Sequence, residues 1–404
     1  MLEFYPKKYV NKKILLDYII LDYTEHTNKT FFEGILSLEQ SCNLIYNLKN
    51  NTYDIKKYYS IKRNTIQLNE EKSVDLYRKE LMKSISLRLR SDVKVGTCLS
   101  GGLDSSSISA IASKEYIKFN HNKFTAIHAK SSSSFNDESS FAKIVSKYCK
   151  LDLHVIEPNE SEFIDSIEEV VYTQEEPFGG PSIFMQYFVM KKAKEIGCTV
   201  MLDGQGGDET LLGYERYYPA YLMSLNTLKR VKGLFKSSKN SKLSVKQSIL
   251  YFFYFTNAKL ILKKRFRESF FIKKKYFNYV SKDLVTINSK KYRNIFSLQE
   301  IEVYQTQMPH LLRYEDRNSM RHSIETRLPF IDYNVLETAL SINNEFKIKN
   351  GWTKHLLRKS VEEILPDNIV WRKNKFGFEA PTKKWLLSLE KEMKNEINSS
   401  NILS

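Results

Sequence analysis

Residues 95–106 read Val-Gly-Thr-Cys-Leu-Ser-Gly-Gly-Leu-Asp-Ser-Ser. The apolar start of this stretch predicts a buried β-strand, and the residues after Asp104 predict a helix. Gly101 and Gly102 allow the backbone to approach an anion closely and to adopt dihedral angles that a Cβ forbids. The helix then offers free N–H groups and the positive end of its dipole. This order of elements predicts a loop that binds the pyrophosphate part of ATP.

Side chains of the same loop supply further ligands for a nucleotide. Ser100, Ser105 and Ser106 offer hydroxyl donors, and Asp104 offers a carboxylate that suits Mg²⁺. A Walker-type loop needs Gly-Lys-Ser/Thr, and no such lysine follows these glycines. An ordinary glycine turn before a helix is the alternative interpretation. The ordered strand, glycines, acid and hydroxyls favour a loop that holds ATP for cleavage between the α- and β-phosphates.

Composition is typical of a globular protein. The chain has 404 residues, of which 42% are hydrophobic and 27% charged, enough for a large core in two lobes. Its four cysteines have no paired spacing, which predicts reduced thiols, a cytoplasmic location and no metal–thiolate site. No apolar run is long enough to span a bilayer, and no secretory leader is recognised.

The formal net charge is +16, and much of the excess lies within residues 229–293. A nucleic-acid partner or a membrane surface is one explanation of such charge. A lysine-rich solvated face is the other, and it is favoured here. A nucleic-acid partner is therefore not expected.

Strands and helices alternate through the first half of the chain. This pattern, with nearly continuous apolar strands, predicts an α/β fold: a parallel sheet flanked by helices, with a helical C-terminal portion. Ser73 is expected to cap the helix that precedes the first strand of the sheet. Strands are expected at residues 94–99, 124–129, 153–157 and 199–202. The predicted segments are a remnant or linker (1–65), an α/β nucleotide core (66–223), a basic helical insertion or cap (224–298) and a helical C-terminal part (299–404).

A second glycine-rich loop, Asp203-Gly204-Gln205-Gly206-Gly207-Asp208-Glu209, follows the last of these strands. Its glycines allow close backbone approach, and Asp208 with Glu209 offers carboxylates for a metal–pyrophosphate complex. A plain acidic turn is the alternative. Ligands bind at the carboxyl ends of parallel strands, where both loops are expected, so the two loops support each other.

Two further stretches carry many charges. Within residues 313–332, arginines are able to hold a carboxylate substrate in bidentate fashion, but an ion-pair network of Arg317, Glu325 and Arg327 that packs helices is favoured. No ligand role is assigned to His310 or His322. Residues 371–381 form a basic turn, either simply solvated or with a lysine that neutralises charge on departing pyrophosphate.

Together these motifs resemble the synthetase domain of the asparagine synthetase family, which includes β-lactam synthetases and lasso-peptide cyclases. The resemblance covers nearly the whole chain, in residues 32–35, 100–106, 203–214, 315–320, 325–332 and 375–378, with Pro381 and Trp385. It implies that ATP adenylates a substrate carboxylate, that pyrophosphate leaves, and that an amine attacks the acyl-adenylate to form an amide and AMP.

The resemblance also implies roles for individual residues. Residues 100–106 would hold pyrophosphate, and Asp104 and Asp208 would bind Mg²⁺. Lys375 matches the family lysine that stabilises the transition state bearing the pyrophosphate. The residues expected to border the nucleotide are Leu99, Ser100, Gly101, Gly102, Asp104, Ser105, Ser106, Ile127 and Gly204.

Two departures from the family pattern affect the expected substrates. Members that hydrolyse glutamine have a nucleophilic cysteine as the second residue of an N-terminal domain, and here that residue is Leu2. The chain is therefore expected to be a fragment, to use free ammonia or another amine, or to work with a separate glutaminase subunit. Gln205 stands where asparagine synthetases often have glutamate and β-lactam synthetases have tyrosine, which puts aspartate in doubt as the substrate.

A glutamine amide cannot act as a general base, although it can orient an intermediate. Glu209 and Glu325 are the candidate bases, and Lys375, Gln205 and Asp208 are the expected catalytic residues. The predicted function is an AMP-forming amide synthase that takes a small carboxylate and ammonia or an amine, with asparagine as the default product. A specialised amide, such as a macrolactam or a glycan amide, is the close second. A tRNA-modifying enzyme and a non-catalytic interaction subunit are the rivals, and a homodimer is possible.

Overall fold

The stretch that contains the first glycine loop begins with the central strand of a five-stranded parallel sheet. The structure, a computed structural model, describes residues 9–120, 122–132, 137–373 and 380–399. Within these residues the strand order in the sheet is β5-β4-β3-β6-β7, and β1 and β2 form a separate antiparallel hairpin. The strands are β1 (Cys42–Asn47), β2 (Thr52–Lys57), β3 (Val95–Cys98), β4 (Thr125–Ala129), β5 (Asp152–Ile156), β6 (Val200–Leu202) and β7 (Glu325–Arg327).

Helices connect the strands of the sheet and cover both of its faces, so the predicted α/β class with a parallel sheet and a helical C-terminal portion is confirmed. The helices of the first half are α1 (Lys12–Leu21), α2 (Glu70–Arg88), α3 (Leu103–Asn120), α4 (Ser139–Cys149), α5 (Glu160–Gln174), α6 (Ser182–Glu195) and α7 (Gly207–Leu211). Helices α8 to α13 are α8 (Tyr218–Ser224), α9 (Thr227–Asn240), α10 (Val245–Phe255), α11 (Ala258–Glu268), α12 (Lys282–Lys291) and α13 (Ile295–Ile301). The helices that follow are α14 (Met308–Arg321), α15 (Tyr333–Ser341), α16 (Asn344–Lys347), α17 (His355–Val361), α18 (Asp367–Val370), α19 (Thr382–Ser388) and α20 (Glu390–Ser399).

Alternate residues of the central strands enter two different hydrophobic clusters. In β6, Val200 and Leu202 belong to the cluster that includes α2, α3 and α17, whereas Met201 belongs to the cluster that includes α5 and α6. Successive side chains of a strand point to opposite faces, so the sheet is buried on both sides. This burial explains why the strands are apolar almost throughout. It also holds the carboxyl ends of the strands in place along one edge of the sheet.

The fifth strand, β7, was not predicted. It reads Glu325-Thr326-Arg327 and pairs in parallel with β6, with Val200 opposite Glu325 and Leu202 opposite Arg327. Three polar residues at a sheet edge carry no apolar pattern, so only the tertiary pairing reveals the strand.

The helix before the central strand begins earlier than predicted. Asn69 caps α2, because its Oδ1 accepts a hydrogen bond from the backbone N–H of Lys72 at 3.0 Å. Ser73 lies one turn inside the helix and is buried, and its hydroxyl donates to the carbonyl of Asn69. The prediction of Ser73 as the cap is therefore wrong, since a cap side chain must bind the N–H groups of the next turn.

The part of the chain before α2 has two different surroundings. Helix α1 packs Leu16 and Ile20 into a cluster with Val280 and Val285, which lie near α12. The buried Asp17 carboxylate accepts hydrogen bonds from the backbone N–H and hydroxyl of Ser281, both at 2.7 Å. By contrast, nearly every residue of the β1–β2 hairpin is exposed. No helix in the described ranges combines the length and the apolar character needed to cross a membrane.

Candidate active site

The two glycine-rich loops lie against each other at the carboxyl edge of the sheet, after β3 and β6. A Cβ on Gly204 would be 3.1 Å from the backbone nitrogen of Ser105, in the first turn of α3. A Cβ on Gly207 would be 2.9 Å from the carboxyl carbon of Asp104. Such approaches are open only to glycine, so the second loop needs its glycines to reach the first.

A cavity of about 970 Å³ opens above these loops and continues toward the helical half of the chain. Most of the residues that the sequence predicted as nucleotide or catalytic residues line it together: Leu99, Ser100, Gly102, Asp104, Ser105, Ile127, Gly204, Gln205 and Asp208. Gly101 is buried beneath the cavity at φ 86°. The side chain of Ser106 is fully buried and does not line the cavity, because it lies on the inner side of α3. Lys375 falls outside the residues that the structure describes.

The serines of the first loop hold the loop in shape. The Ser105 and Ser100 hydroxyl oxygens are 3.0 Å apart, and Ser105 Oγ accepts the backbone N–H of Ser100 at 3.2 Å. Ser100 Oγ also accepts the backbone N–H of Gly102 at 3.1 Å. These bonds fix the turn before any ligand enters, which lowers the ordering cost of binding.

A lysine that the sequence analysis did not single out lies between the two loops. Lys354, which directly precedes α17, places its Nζ 2.6 Å from Asp208 Oδ1 and in contact with Asp104 Oδ2. Its side chain is only 4% exposed. The only local signal was its place before a helix, and in a chain this rich in lysine that signal does not stand out.

The two carboxylates suit a magnesium ion that is also held by phosphate oxygens. Asp104 Oδ1 is buried and receives no hydrogen bond from the described residues. No group of three or more His, Cys, Asp or Glu side chains gathers into a metal site within those ranges. Mg²⁺ is commonly bound by one or two carboxylates together with substrate phosphates and water, and Asp104 with Asp208 matches that donor set.

A second cation, Arg372, also contacts the first loop. Arg372 donates to the carbonyl of Gly101 at 3.2 Å and pairs with Glu138, and these two side chains are 8% and 6% exposed. Arg372 also lies over the ring of Phe141, with its guanidinium carbon 3.7 Å from the ring centroid. The predicted basic turn thus approaches the first glycine loop. Among the described residues of the turn, Arg372 makes this contact.

Gln205 rests on a buried pair of carboxyl groups. Glu315 hydrogen-bonds to Gln205 and to Gln186, and it faces Asp203, whose Oδ1 accepts the N–H of Gly204 at 2.5 Å. Burial, and then the charge of Asp203, raise the pKa of Glu315 well above its usual value. A proton on Glu315 that is donated to Asp203 gives both carboxyl groups a hydrogen-bond partner. The pair therefore forms a fixed support beneath the Gln205 side chain.

Neither candidate base lines the cavity. Glu209 is 1% exposed, and its Oε1 accepts the Tyr214 hydroxyl at 2.5 Å. Burial, together with the nearby Asp208, raises the pKa of Glu209 to about 7. Glu325 lies in β7, where Arg327 donates to it at 2.7 Å.

The arginines of residues 313–327 pair with acids rather than facing the cavity. Glu176 and Glu25 lie 3.1 and 3.7 Å from Arg313, Glu175 lies 2.7 Å from Arg317, and Glu169 lies 2.6 Å from Arg321. Arg327 also donates to the backbone carbonyls of Arg88 and Arg90. This is a set of ion pairs that joins helices, as favoured from the sequence, although Arg317 and Arg327 have different partners and do not form one network.

Comparison with known proteins agrees with this arrangement. The asparagine synthase family model matches residues 76–402. Asparagine synthetase [glutamine-hydrolyzing] 1 of Bacillus subtilis is 30% identical over 373 residues, 85% of this chain and 54% of that protein. A putative glutamine-hydrolysing asparagine synthetase of Mycobacterium bovis is 25% identical, over 93% of this chain and 59% of that protein.

More distant similarities have other names. Amidase chry2 of Gibberella zeae is 23% identical, over 88% of this chain and 60% of that protein. The NH3-dependent NAD synthetase of Campylobacter jejuni, a solved structure, is 15% identical over 50% of this chain and 96% of that chain, with a TM-score of 0.26. The chain spans little more than half the length of the first curated relatives. Because the family model covers most of the sequence, the chain belongs to the asparagine synthase family.

Proposed function

We propose that the chain is an ATP-dependent ligase that forms an amide in two steps. The carboxylate of a small acid attacks the α-phosphorus of ATP, and the bond to the β-phosphate breaks, so that an acyl-adenylate and pyrophosphate form. Ammonia or another amine then attacks the acyl carbon, loses a proton and displaces AMP. Membership of the family and the paired glycine loops support this proposal.

The first step requires charge compensation where pyrophosphate leaves. Lys354 is a cation beside the first loop, paired with Asp104 and Asp208, and Mg²⁺ bound to these two aspartates would leave the charge of Lys354 to the phosphates. Arg372 contacts the loop at Gly101 and shares its charge with Glu138, and the start of α3 adds free backbone N–H groups. Fixed positive charges aimed at developing negative charge are a large source of rate enhancement. When bound between Asp104 and Asp208, Mg²⁺ would add charge neutralisation of the phosphates. Leu99 and Ile127 would border the adenine.

Gln205 has an orienting role in the second step. Its amide cannot accept the proton that the amine loses, but Glu315 holds it in place above the buried carboxyl pair. A side chain fixed in this way can direct a hydrogen bond to the acyl group or to the amine. Lys375 is proposed to assist the departing pyrophosphate, as in the family pattern.

The candidate acids are aspartate, with asparagine as the product, and a specialised acid, and the panel of carboxylic acids described below distinguishes them. The names of two relatives state that they hydrolyse glutamine. For this chain, we propose ammonia as the simplest nitrogen source, supplied free or by a separate glutaminase. The reaction takes place on small molecules, without a nucleic-acid partner.

The convergence of Lys354 with Asp104 and Asp208 is the observation that carries this proposal, and pyrophosphate release tests it. Release from Mg-ATP is measured across a panel of carboxylic acids with ammonium present. We expect acid-dependent release that falls by roughly 100-fold or more in Lys354→Met and Asp104→Ala. Lys359→Met is the matched control, because Lys359 lies on α17 and pairs with Glu362 at the surface. Absence of acid-dependent release in the wild type would refute the proposal.

A further inference from the structure

The helical half of the chain also lines the cavity, and at this second end it contributes several aromatic side chains beside polar ones such as Glu215, Arg216 and Lys242. Helix α10 contributes Tyr251 and Phe255, and α14 contributes His310, Leu311 and Tyr314. Helix α10 belongs to the segment between the α/β core and the C-terminal helices, so this wall does not come from the loops that surround the proposed nucleotide. The two ends of the cavity are therefore made by different parts of the chain.

The rings of this wall are held in place by one another. Phe255 stacks on Tyr292 with centroids 5.1 Å apart, and Tyr251 meets Phe255 edge-on at 5.7 Å. On α14, His310 lies 5.5 Å from Tyr314. Tyr251 nevertheless keeps 37% of its surface exposed, so one of the rings remains accessible in a preformed apolar wall. Preformed aromatic surfaces with a few polar groups are typical of small-molecule sites.

The charges at this end have partners within the protein. Arg216 pairs with the buried Glu302, with Nε 2.9 Å from Oε1, and also donates to Gln307 at 3.2 Å. Lys242 lies beside Glu215, whose Oε1 accepts its backbone N–H at 2.9 Å. The arginines of residues 313–327 are paired with acids away from the cavity. A second carboxylate, such as the one aspartate would bring, thus meets an arginine that is already paired with a buried acid and a lysine that lies next to the carboxylate of Glu215.

From this wall we infer that the acid which the chain activates carries a ring, and that Tyr251 and Phe255 contact the face of that ring. This inference rests on the proposed function, because it places the acid's carboxylate at the loops and its tail between α10 and α14. The shared chemistry is a six-membered ring with an apolar face, which an aryl acid presents as a planar π face and a uronic acid as the C–H face of a puckered sugar ring. Ring faces stack favourably on aromatic side chains, whereas the short charged tail of aspartate gains little there.

Pyrophosphate release with two sets of acids tests the inference. The aryl arm uses phenylacetate, phenylpropionate and phenylbutyrate; the sugar arm uses glucuronate and galacturonate; aspartate is the reference. We expect at least one ring acid to exceed aspartate in kcat/KM by about tenfold, and Tyr251→Ala to raise its KM by a similar factor with the KM for ATP unchanged. Tyr251→Phe keeps the ring and should retain the wild-type KM.

Phe253→Ala is the matched control, because Phe253 lies on α10 but is exposed and does not line the cavity. Preference for aspartate over every ring acid, or an unchanged KM for the best ring acid in Tyr251→Ala, would overturn the inference. Saturation-transfer NMR without ATP measures direct binding of the same acids. This measurement separates the aromatic subsite from the proposed function. If no acid supports pyrophosphate release, the proposed function fails, and ring-acid binding that Tyr251→Ala weakens would still support the aromatic subsite. Absence of that binding would overturn the subsite as well.

Discussion

Replacing Lys354 by methionine should destabilise the fold as well as abolish the reaction. The Lys354 side chain is 4% exposed, and the Asp104 and Asp208 side chains are 14% and 13% exposed, so all three are largely removed from water. Removing the cation leaves two adjacent carboxylates without their shared partner. Breaking a buried ion pair in this way costs about 3–5 kcal/mol, because the remaining charge stays desolvated and uncompensated. We expect the free energy of unfolding of Lys354→Met to fall by about that amount.

Urea denaturation at neutral pH, without nucleotide or metal, measures this loss. Lys359→Met removes a more exposed pair at α17, which begins directly after Lys354, and should change stability by about 1 kcal/mol or less. The loss in Lys354→Met should persist in high salt, since buried pairs are screened much less than surface pairs. Adding Asp104→Asn to Lys354→Met should recover part of the stability, because one uncompensated charge is removed. A loss in Lys354→Met no larger than that in the control would refute the reasoning.

Two further predictions concern the second glycine loop. Gly207→Ala should lower pyrophosphate release by about tenfold or more. The added Cβ would lie 2.9 Å from the Asp104 carboxyl carbon and would push the Asp104 side chain away from Lys354. Unchanged release would contradict this close approach. Glu209 should make stability depend on pH. Burial and the nearby Asp208 raise the pKa of Glu209 from its ordinary 4.5 to about 7 in the folded chain, so between those values the folded state binds more protons than the unfolded state. The free energy of unfolding should therefore fall by up to roughly 3 kcal/mol as pH rises from about 4.5 to 7. Denaturation experiments on Glu209→Gln should show no such dependence on pH. An equal dependence in the variant would contradict the raised pKa of Glu209.

The parts of the fold that sequence predicts are those set by local pattern. The strands that precede the two loops are apolar because both faces of the sheet are covered, and the glycines lie where the two loops approach each other closely. Both signals are contained in a few consecutive residues. β7 was missed because its strand character comes only from pairing with β6. The cap of α2 was placed at Ser73 rather than Asn69, since both residues are good caps and the apolar spacing does not fix the first turn.

The candidate site shows the same division between local and distant information. Asp104 and Asp208 were predicted from their loops. Lys354, which contacts both, lies 250 residues after Asp104 in the chain. Likewise, Glu315 was part of a recognised motif, yet its contact with Gln205 depends on how α14 packs against α6 and β7. Arg372 was not predicted because it lies in a segment with several basic residues, of which Lys375 matches the family pattern. Partners of this kind are visible only when the chain is folded.

The division between the two ends of the cavity explains why the proposed chemistry is easier to recognise than the substrate. The nucleotide end is formed by loops at the ends of buried strands, where the sheet fixes each position and leaves a readable glycine pattern. The acid end is formed by α10 and α14, whose aromatic residues look like ordinary helix-packing residues in the sequence. Tyr251 and Phe255 acquire their proposed binding role only because the fold brings them into the lining of one cavity with His310 and Tyr314. A change confined to α10 should therefore alter which acid is accepted while leaving the handling of ATP intact.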